Sequence, residues 1–208
     1  MQQRLIEQIT DYLAGLSEDE RVGAINAFRK QLHVHSPFRS QPIDCVLWIK
    51  QSHIQENDYN PNNVAPPEKR LLLKSLQTDG FTQPVVTIKQ DDGQYEIVDG
   101  FHRRELARRE AVLQPALQGY LPVTVLGASA RERSLQMAST IRHNRARGRH
   151  LINEMSEIVR ELTRQGWSDV KIGQELGMDA DEILRLRQIN GLLDLFGDRQ
   201  LSQAWTVK

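Results

Sequence analysis

The order of segment types along this chain limits its fold more than any other sequence feature. Between Val46 and Leu126, short β-branched or apolar runs alternate with stretches of helical spacing; the runs are Val46-Leu47-Trp48-Ile49, Val85-Val86-Thr87-Ile88, Tyr95-Glu96-Ile97-Val98 and Leu121-Pro122-Val123-Thr124-Val125-Leu126. From Leu151 onward the pattern is helical alone, with Leu151, Met155, Ile158, Val159 and Leu162 on one face. Ahead of both, Leu5, Ile6, Ile9 and Leu13 share a helical face. Ser17-x-x-Glu20 is then a capping box that opens a second helix through Val22, Ile25, Phe28 and Leu32. The expected class is α+β, with a helical hairpin over 1–40, a small mixed α/β domain over 41–149 and an all-α domain over 150–208.

Punctuation refines this layout. Pro37 and Pro42 mark a linker, and Gln55 to Asn62 reads as a polar loop. Pro67 in a first turn and Gly80 beyond the last bracket a helix carrying Leu71, Leu72, Leu73 and Leu76. Asp91-Asp92-Gly93 turns a hairpin, and Glu105 to Ala111 continue as a helix. Ser129-x-x-Glu132 caps a helix through Leu135, Ala138 and Ile141 that ends at His143 to Gly148.

Charge narrows the function. The 208 residues carry 27 Lys plus Arg and 27 Asp plus Glu, so whole-molecule attraction to nucleic acid or to an anionic membrane is excluded as the main binding force. Residues 101–150 nevertheless hold ten arginines against three acidic side chains. Arginine presents a planar fork that matches phosphate oxygens in pairs. The single cysteine, Cys45, excludes an internal disulfide framework and a Cys-based zinc site. No apolar run approaches the roughly 20 residues of a membrane span, and the N-terminal residues lack the pattern of a signal peptide. The expected location is the cytoplasm.

Two segments carry chemistry. The strand ending at Val98 runs into Asp99-Gly100-Phe101-His102-Arg103-Arg104, and strand, glycine and helix N-terminus together form a geometry that binds phosphate through unpaired backbone N–H groups. Further on, Ser168 caps a short helix, Gly177-Met178 makes a turn, and a longer helix runs from about Ala180 to Asn190. That is helix-turn-helix spacing over residues 168–190, with Gly173 at the close approach and Ile172, Leu176, Met178 and Ile183 as its core. Trp167 is expected to pack beside it. Arg185, Arg187 and Gln188 on the second helix would contact DNA, and Arg145 and Arg149 upstream would hold adjacent phosphates. Asp179, Asp181 and Glu182 bring the wrong charge to the start of that helix.

Four ordered segments resemble one family: the Asn60-Pro61-Asn62 loop; Leu73-x-Ser75-Leu76 with Gly80 and Gln83-Pro84-Val85-Val86; Gly100-x-x-Arg103-Arg104-x-x-Ala107; and Asn144-x-x-Arg147. They are similar to the ParB N-terminal, or ParB/sulfiredoxin-like, fold followed by a ParB-type helix-turn-helix. Within that group the layout resembles the IbrB-like coactivators. The resemblance covers residues 44 to about 190 and implies a nucleotide-binding, DNA-binding transcriptional regulator of coactivator type. Its nucleotide, ATP, ADP or CTP, would be held by Gln83, Gly100, Phe101, His102, Arg103, Arg104, Asn144 and Arg147, with Mg²⁺ at Asp99 and Asn144. The implied partners are DNA and a phosphoadenosine-phosphosulfate-reductase-like protein, and homodimerisation is open to it.

Departures from the family discriminate further. ParB CTPases have a Glu directly before the Asn, where this chain has His143, so the carboxylate oxygen that a hard Mg²⁺ ion prefers is missing there. Sulfiredoxins need a cysteine where this chain has Phe101, which excludes sulfinic acid reduction. Val98 to Arg103 is also similar to the Asp-Gly-His-His-Arg turn of free serine kinases on the same fold. In that enzyme alternative, a phosphotransferase or nucleotidase, Asp99 and Glu56 would be the catalytic carboxylates.

Overall fold

The computed structural model describes residues 1–57, 66–127, 133–145 and 152–196. They fall into two compact units, 1–57 with 66–127 and 133–145 with 152–196.

The first unit opens with α1 (Gln2–Ala14) and α2 (Glu18–His35). Both helices form as their patterns predict, and the Glu20 carboxylate accepts the Ser17 N–H at 3.0 Å. Neither helix buries a single residue. After them come β1 (Leu47–Lys50), β2 (Ile54–Gln55), α3 (Pro66–Asp79), β3 (Val85–Lys89), β4 (Tyr95–Asp99), α4 (Phe101–Arg109), α5 (Gln114–Leu117) and β5 (Tyr120–Val125). The strands make one sheet in the order β1-β5-β3-β4-β2. β3 lies at its centre, parallel to β5 and antiparallel to β4. Val85, Ile97, Leu121 and Val123 from the strands pack with Leu76 of α3 and with Leu106 and Ala107 of α4. The β3–β4 turn uses Gly93 at φ 86°, where the Asp92 side chain accepts the Gln94 N–H. At the β1 edge, Asn26 of α2 stands in for a neighbouring strand. Its amide donates to the Trp48 carbonyl at 2.7 Å and its oxygen accepts the Trp48 N–H at 3.0 Å, which satisfies an otherwise open edge.

Three local expectations change. Gln55, read as loop, pairs with Glu96 in the two-residue strand β2, parallel to β4. Helix α4 begins at Phe101, directly after Gly100, rather than at Glu105, because a left-handed residue can end a strand and start a helix in one step. The stretch Ala111–Leu117, unassigned from sequence, forms a 3₁₀ turn and α5. The Ser129-x-x-Glu132 box lies outside the described residues.

The second unit contains α6 (Arg133–Arg145), α7 (Ile152–Arg164), α8 (Asp169–Leu176) and α9 (Ala180–Phe196). Met137, Ala138 and Ile141 of α6 join Met155, Ile158, Val159 and Leu162 of α7, together with Trp167, Ile172, Leu176, Met178, Ile183 and Leu186, in one apolar core. α7 is amphipathic by its sequence pattern, and that face is the one buried. Among the described residues no helix is long and apolar enough to cross a membrane.

Candidate functional site

Gly100 sets the geometry at the end of β4. It caps α4 at φ 96°, ψ 18°, a conformation that costs a residue with a Cβ, and being glycine it has no side chain of its own to cap the helix. The N-cap residue itself therefore supplies no capping oxygen to the first turn of α4, whose dipole still favours negative charge at this end. Asp99 is buried beside it, and its Oδ1 accepts the Gly100 N–H at 2.8 Å.

Arg103 and Arg104 leave α4 in different company. Arg103 folds back over Gly100, donating from Nη1 to Gln83 Oε1 at 2.6 Å and from Nη2 to the Pro84 carbonyl at 3.4 Å, with Asp99 Oδ2 at 3.6 Å. Gln83, 20 positions before Arg103 in the chain, thus joins Asp99, Gly100 and Arg103 in one cluster. Arg104 instead donates to the Glu56 carboxylate and to the Ile54 carbonyl at 3.2 Å, with Arg108 also 3.8 Å from Glu56. Burial first, and then the Arg108 charge, lower the Arg104 pKa; Glu56 supplies the counter-charge that keeps a buried guanidinium tolerable. The two carboxylates of the enzyme alternative, Glu56 and Asp99, are therefore each bound to a different arginine.

A neighbouring ion cluster was not read from the sequence. Glu105 accepts from Lys69 of α3 at 2.9 Å, pairs with Arg109 at 2.8 Å and lies 3.8 Å from His102 Nδ1. The Lys69 hydrogen bond above all, then the Lys69, Arg109 and His102 charges, hold its carboxyl below the ordinary range in spite of burial. Glu105 and Arg109 at i, i+4 were visible in the sequence; Lys69, 36 positions away, was not. Phe101 stacks edge-on against His102, with ring centroids 5.5 Å apart.

Among the described residues no group of three or more His, Cys, Asp or Glu side chains gathers in a form that would hold a metal. At the turn itself the one carboxylate that could serve Mg²⁺, Asp99, accepts the Gly100 N–H and already faces the Arg103 guanidinium, so it does not fit the ion as it stands. Asn144 and Arg145 close α6, but their side chains, like the whole of Arg147 and Arg149, lie outside the described residues.

In the second unit the helix-turn-helix elements are α8, the Gly177 turn and α9. Ser168 caps α8 by accepting the Lys171 N–H at 3.2 Å. Gly177 takes φ 66°, and Gly173 allows the Met178 carbonyl so close that a Cβ would sit 2.8 Å from its oxygen. Asp179 caps α9 by accepting the Glu182 N–H at 2.7 Å, which gives one of the acidic residues there a structural role. Arg185 and Gln188 are exposed, and among the described residues nothing holds them. Arg187 is exposed too, but both Asp169 oxygens take its Nη1, at 2.9 and 3.0 Å, tying α9 to α8.

Both segments match known sequence families. The ParB N-terminal domain matches residues 39–139, and the IbrB-like C-terminal HTH domain matches residues 150–198. The chain belongs to the ParB N-terminal-domain family and carries an IbrB-like helix-turn-helix domain. A relative from Escherichia coli (strain K12), "Uncharacterized protein YbdM", is 61% identical over 208 residues, covering 100% of this chain and 98% of that protein. Among solved structures the chain is similar to the C-terminally truncated chromosome-partitioning protein ParB from Caulobacter crescentus. In its complex with CTP-gamma-S the identity is 19%, covering 70% of this chain and 78% of that one, at a TM-score of 0.40. In its complex with the centromeric parS site the identity is 17%, covering 74% and 79%, at 0.47. A Pnob8-like ParB-N domain is 14% identical, covering 74% and 73%, at 0.47. Family boundaries and packing divide this ParB-family chain differently, because the ParB N-terminal domain match ends midway along α6, whose buried residues belong to the helical core.

Proposed function

We propose that this protein is a cytoplasmic transcriptional regulator of coactivator type that binds DNA through α8 and α9 and a nucleoside di- or triphosphate at the β4–α4 turn. The observation that carries the nucleotide reading is the left-handed Gly100 at the start of α4, directly after β4, with the Arg103 guanidinium folded over it. A helix N-terminus and a guanidinium meet at this turn, and each favours a phosphate group. Phe101 and His102 flank the same turn. Arg104, bound to Glu56, supports the turn from behind and is not the second phosphate ligand of this reading. An adenine nucleotide ranks above CTP on the likeness to IbrB-like proteins, whose phosphoadenosine-phosphosulfate-reductase-like partner is the protein partner to seek.

On α9, Arg185 and Gln188 are the residues proposed to read bases, and Arg145 and Arg149 those proposed to hold phosphates. Calorimetry with ATP, ADP, CTP and GTP tests the pocket. At least one should bind, and Arg103→Ala should weaken it by roughly 1.5–3 kcal/mol; no binding to the wild type removes the nucleotide reading. Fluorescence anisotropy on genomic DNA fragments at two salt concentrations tests the reading head. Arg185→Ala should reduce sequence preference, whereas Arg145→Ala should lower affinity for every duplex and flatten the salt dependence by about one counterion. Equal, weak binding of all fragments by wild type and Arg185→Ala alike would leave α8–α9 as a packing element.

A further inference from the structure

The N-terminal hairpin is attached to the sheet by polar contacts, half-buries Ile9, Leu13, Val22 and Ile25, and leaves other apolar residues outward. Asn26 bonds Trp48, Arg29 Nη1 donates to the Val46 carbonyl at 3.0 Å, and Asp19 takes Lys50 at 2.6 Å and the Tyr120 hydroxyl at 2.7 Å. Yet Leu5, Ile6 and Tyr12 of α1 remain 56%, 50% and 54% exposed. A helix whose pattern separates an apolar from a polar side has something to cover on the apolar side. Tyr12 meets Phe28 of α2 edge-on, with centroids 6.1 Å apart, and this leaves the stripe through Leu5 open.

The charges beside this stripe indicate what covers it. Leu5 and Tyr12 are seven residues apart, and so are Arg4 and Asp11, so each pair lies within about 20° of one line along the helix. Among the described residues no ion pair within the chain engages Arg4 or Asp11. A two-fold axis crossing α1 near Gln8 sets Leu5 against Tyr12 and Arg4 against Asp11 of a second copy, twice per pair. A surface that is complementary to itself in both shape class and charge is the mark of an isologous contact.

We infer that α1 is a homodimerisation helix, pairing antiparallel with α1 of a second copy. This gives the homodimer a named surface and does not depend on nucleotide or DNA binding. With a helix about 20 Å long, the contact buries on the order of 1,000 Å² in total, the lower limit for a specific interface. The dimer is accordingly weak and concentration-dependent.

Sedimentation velocity on the full chain, from about 1 to 300 µM, spans the range in which such an interface associates. The wild type should shift from monomer to dimer across it. Leu5→Asp should stay monomeric throughout. Arg4→Glu and Asp11→Arg should each raise the dissociation constant roughly tenfold, since each replaces two attractions by two repulsions. The double variant Arg4→Glu/Asp11→Arg should return to within about threefold of the wild type, because the pair is restored with its signs exchanged. Circular dichroism checks that every variant keeps its helices. A wild type that stays monomeric at all concentrations overturns the inference. So does a dimer that survives Leu5→Asp, or a double variant no better than the singles.

Discussion

Gly100 and Gly173 both stand where a Cβ would collide, but against different kinds of neighbour. A Cβ on Gly173 would lie 2.8 Å from the Met178 carbonyl oxygen, part of the turn between α8 and α9, and 3.4 Å from Ile183 Cδ1. Backbone cannot swing aside, so the helix-turn-helix is a rigid, apolar wedge whose spacing is fixed by the absence of one carbon. At Gly100 the nearest atoms are Arg103 Nη2 at 2.9 Å and Nε at 3.2 Å, the far end of a long side chain, with the Val85 Cα at 3.3 Å behind. Here the glycine is needed for its φ of 96°, and the group covering it can move. One site is shaped by packing, the other by backbone conformation and charge. The proposed reading head would use the first kind of order, and the proposed phosphate site the second.

The largest effect should therefore follow Gly173→Ala. Overpacking against backbone costs about 1–3 kcal/mol, and chemical denaturation should show the helical unit losing stability with its nucleotide response unchanged. Gly100→Ala should cost about 1–2 kcal/mol from the left-handed backbone alone. It should also displace Arg103 and so reduce nucleotide affinity in calorimetry, a coupling that the Gly173 variant lacks. If both variants lose stability alike and neither touches ligand binding, the contrast between the two sites fails.

Glu105 sharpens the electrostatic side. Its carboxyl is held below its ordinary value of 4.5 by Lys69 foremost, so the ionised form favours the folded state above that pH. This contribution disappears as the pH falls through the lower value of the folded protein, and Glu105→Gln should flatten the acid limb of a stability–pH curve by about 1 kcal/mol or less. The smallest effect belongs to Arg187→Ala. The Asp169 pair is half exposed, and such pairs contribute about 0–1 kcal/mol. A large loss of DNA affinity from this variant, with stability intact, would place Arg187 on the DNA rather than on α8.

Much of this was legible in the chain. Periodicity marked α1, α2, α7 and the α8–α9 pair, and β-branched runs marked β1, β3, β4 and β5, because these elements are specified by neighbours within a few residues. The site was legible where one segment builds it: Asp99, Gly100 and the α4 start lie in consecutive residues. Where two segments meet, it was not. Strand β2 has only two residues and exists through its parallel pairing with Tyr95 and Glu96, which no local pattern encodes. Glu56 reads as a catalytic carboxylate of the enzyme alternative, and its ion pair with Arg104, 48 positions away, is legible only in the fold.

The sequence by itself determined the kinds of element, the glycine turns and the basic character of the middle segment, since backbone preference and side-chain period act over single turns and strands. Tertiary structure alone decided which arginine faces the Gly100 turn and which neutralises a carboxylate, and which apolar helix is buried. Helix α7 and helix α1 carry the same type of amphipathic pattern, yet α7 closes a core and α1 buries nothing. The difference lies in what other elements bring within van der Waals or hydrogen-bond reach, and that is a property of the assembled fold.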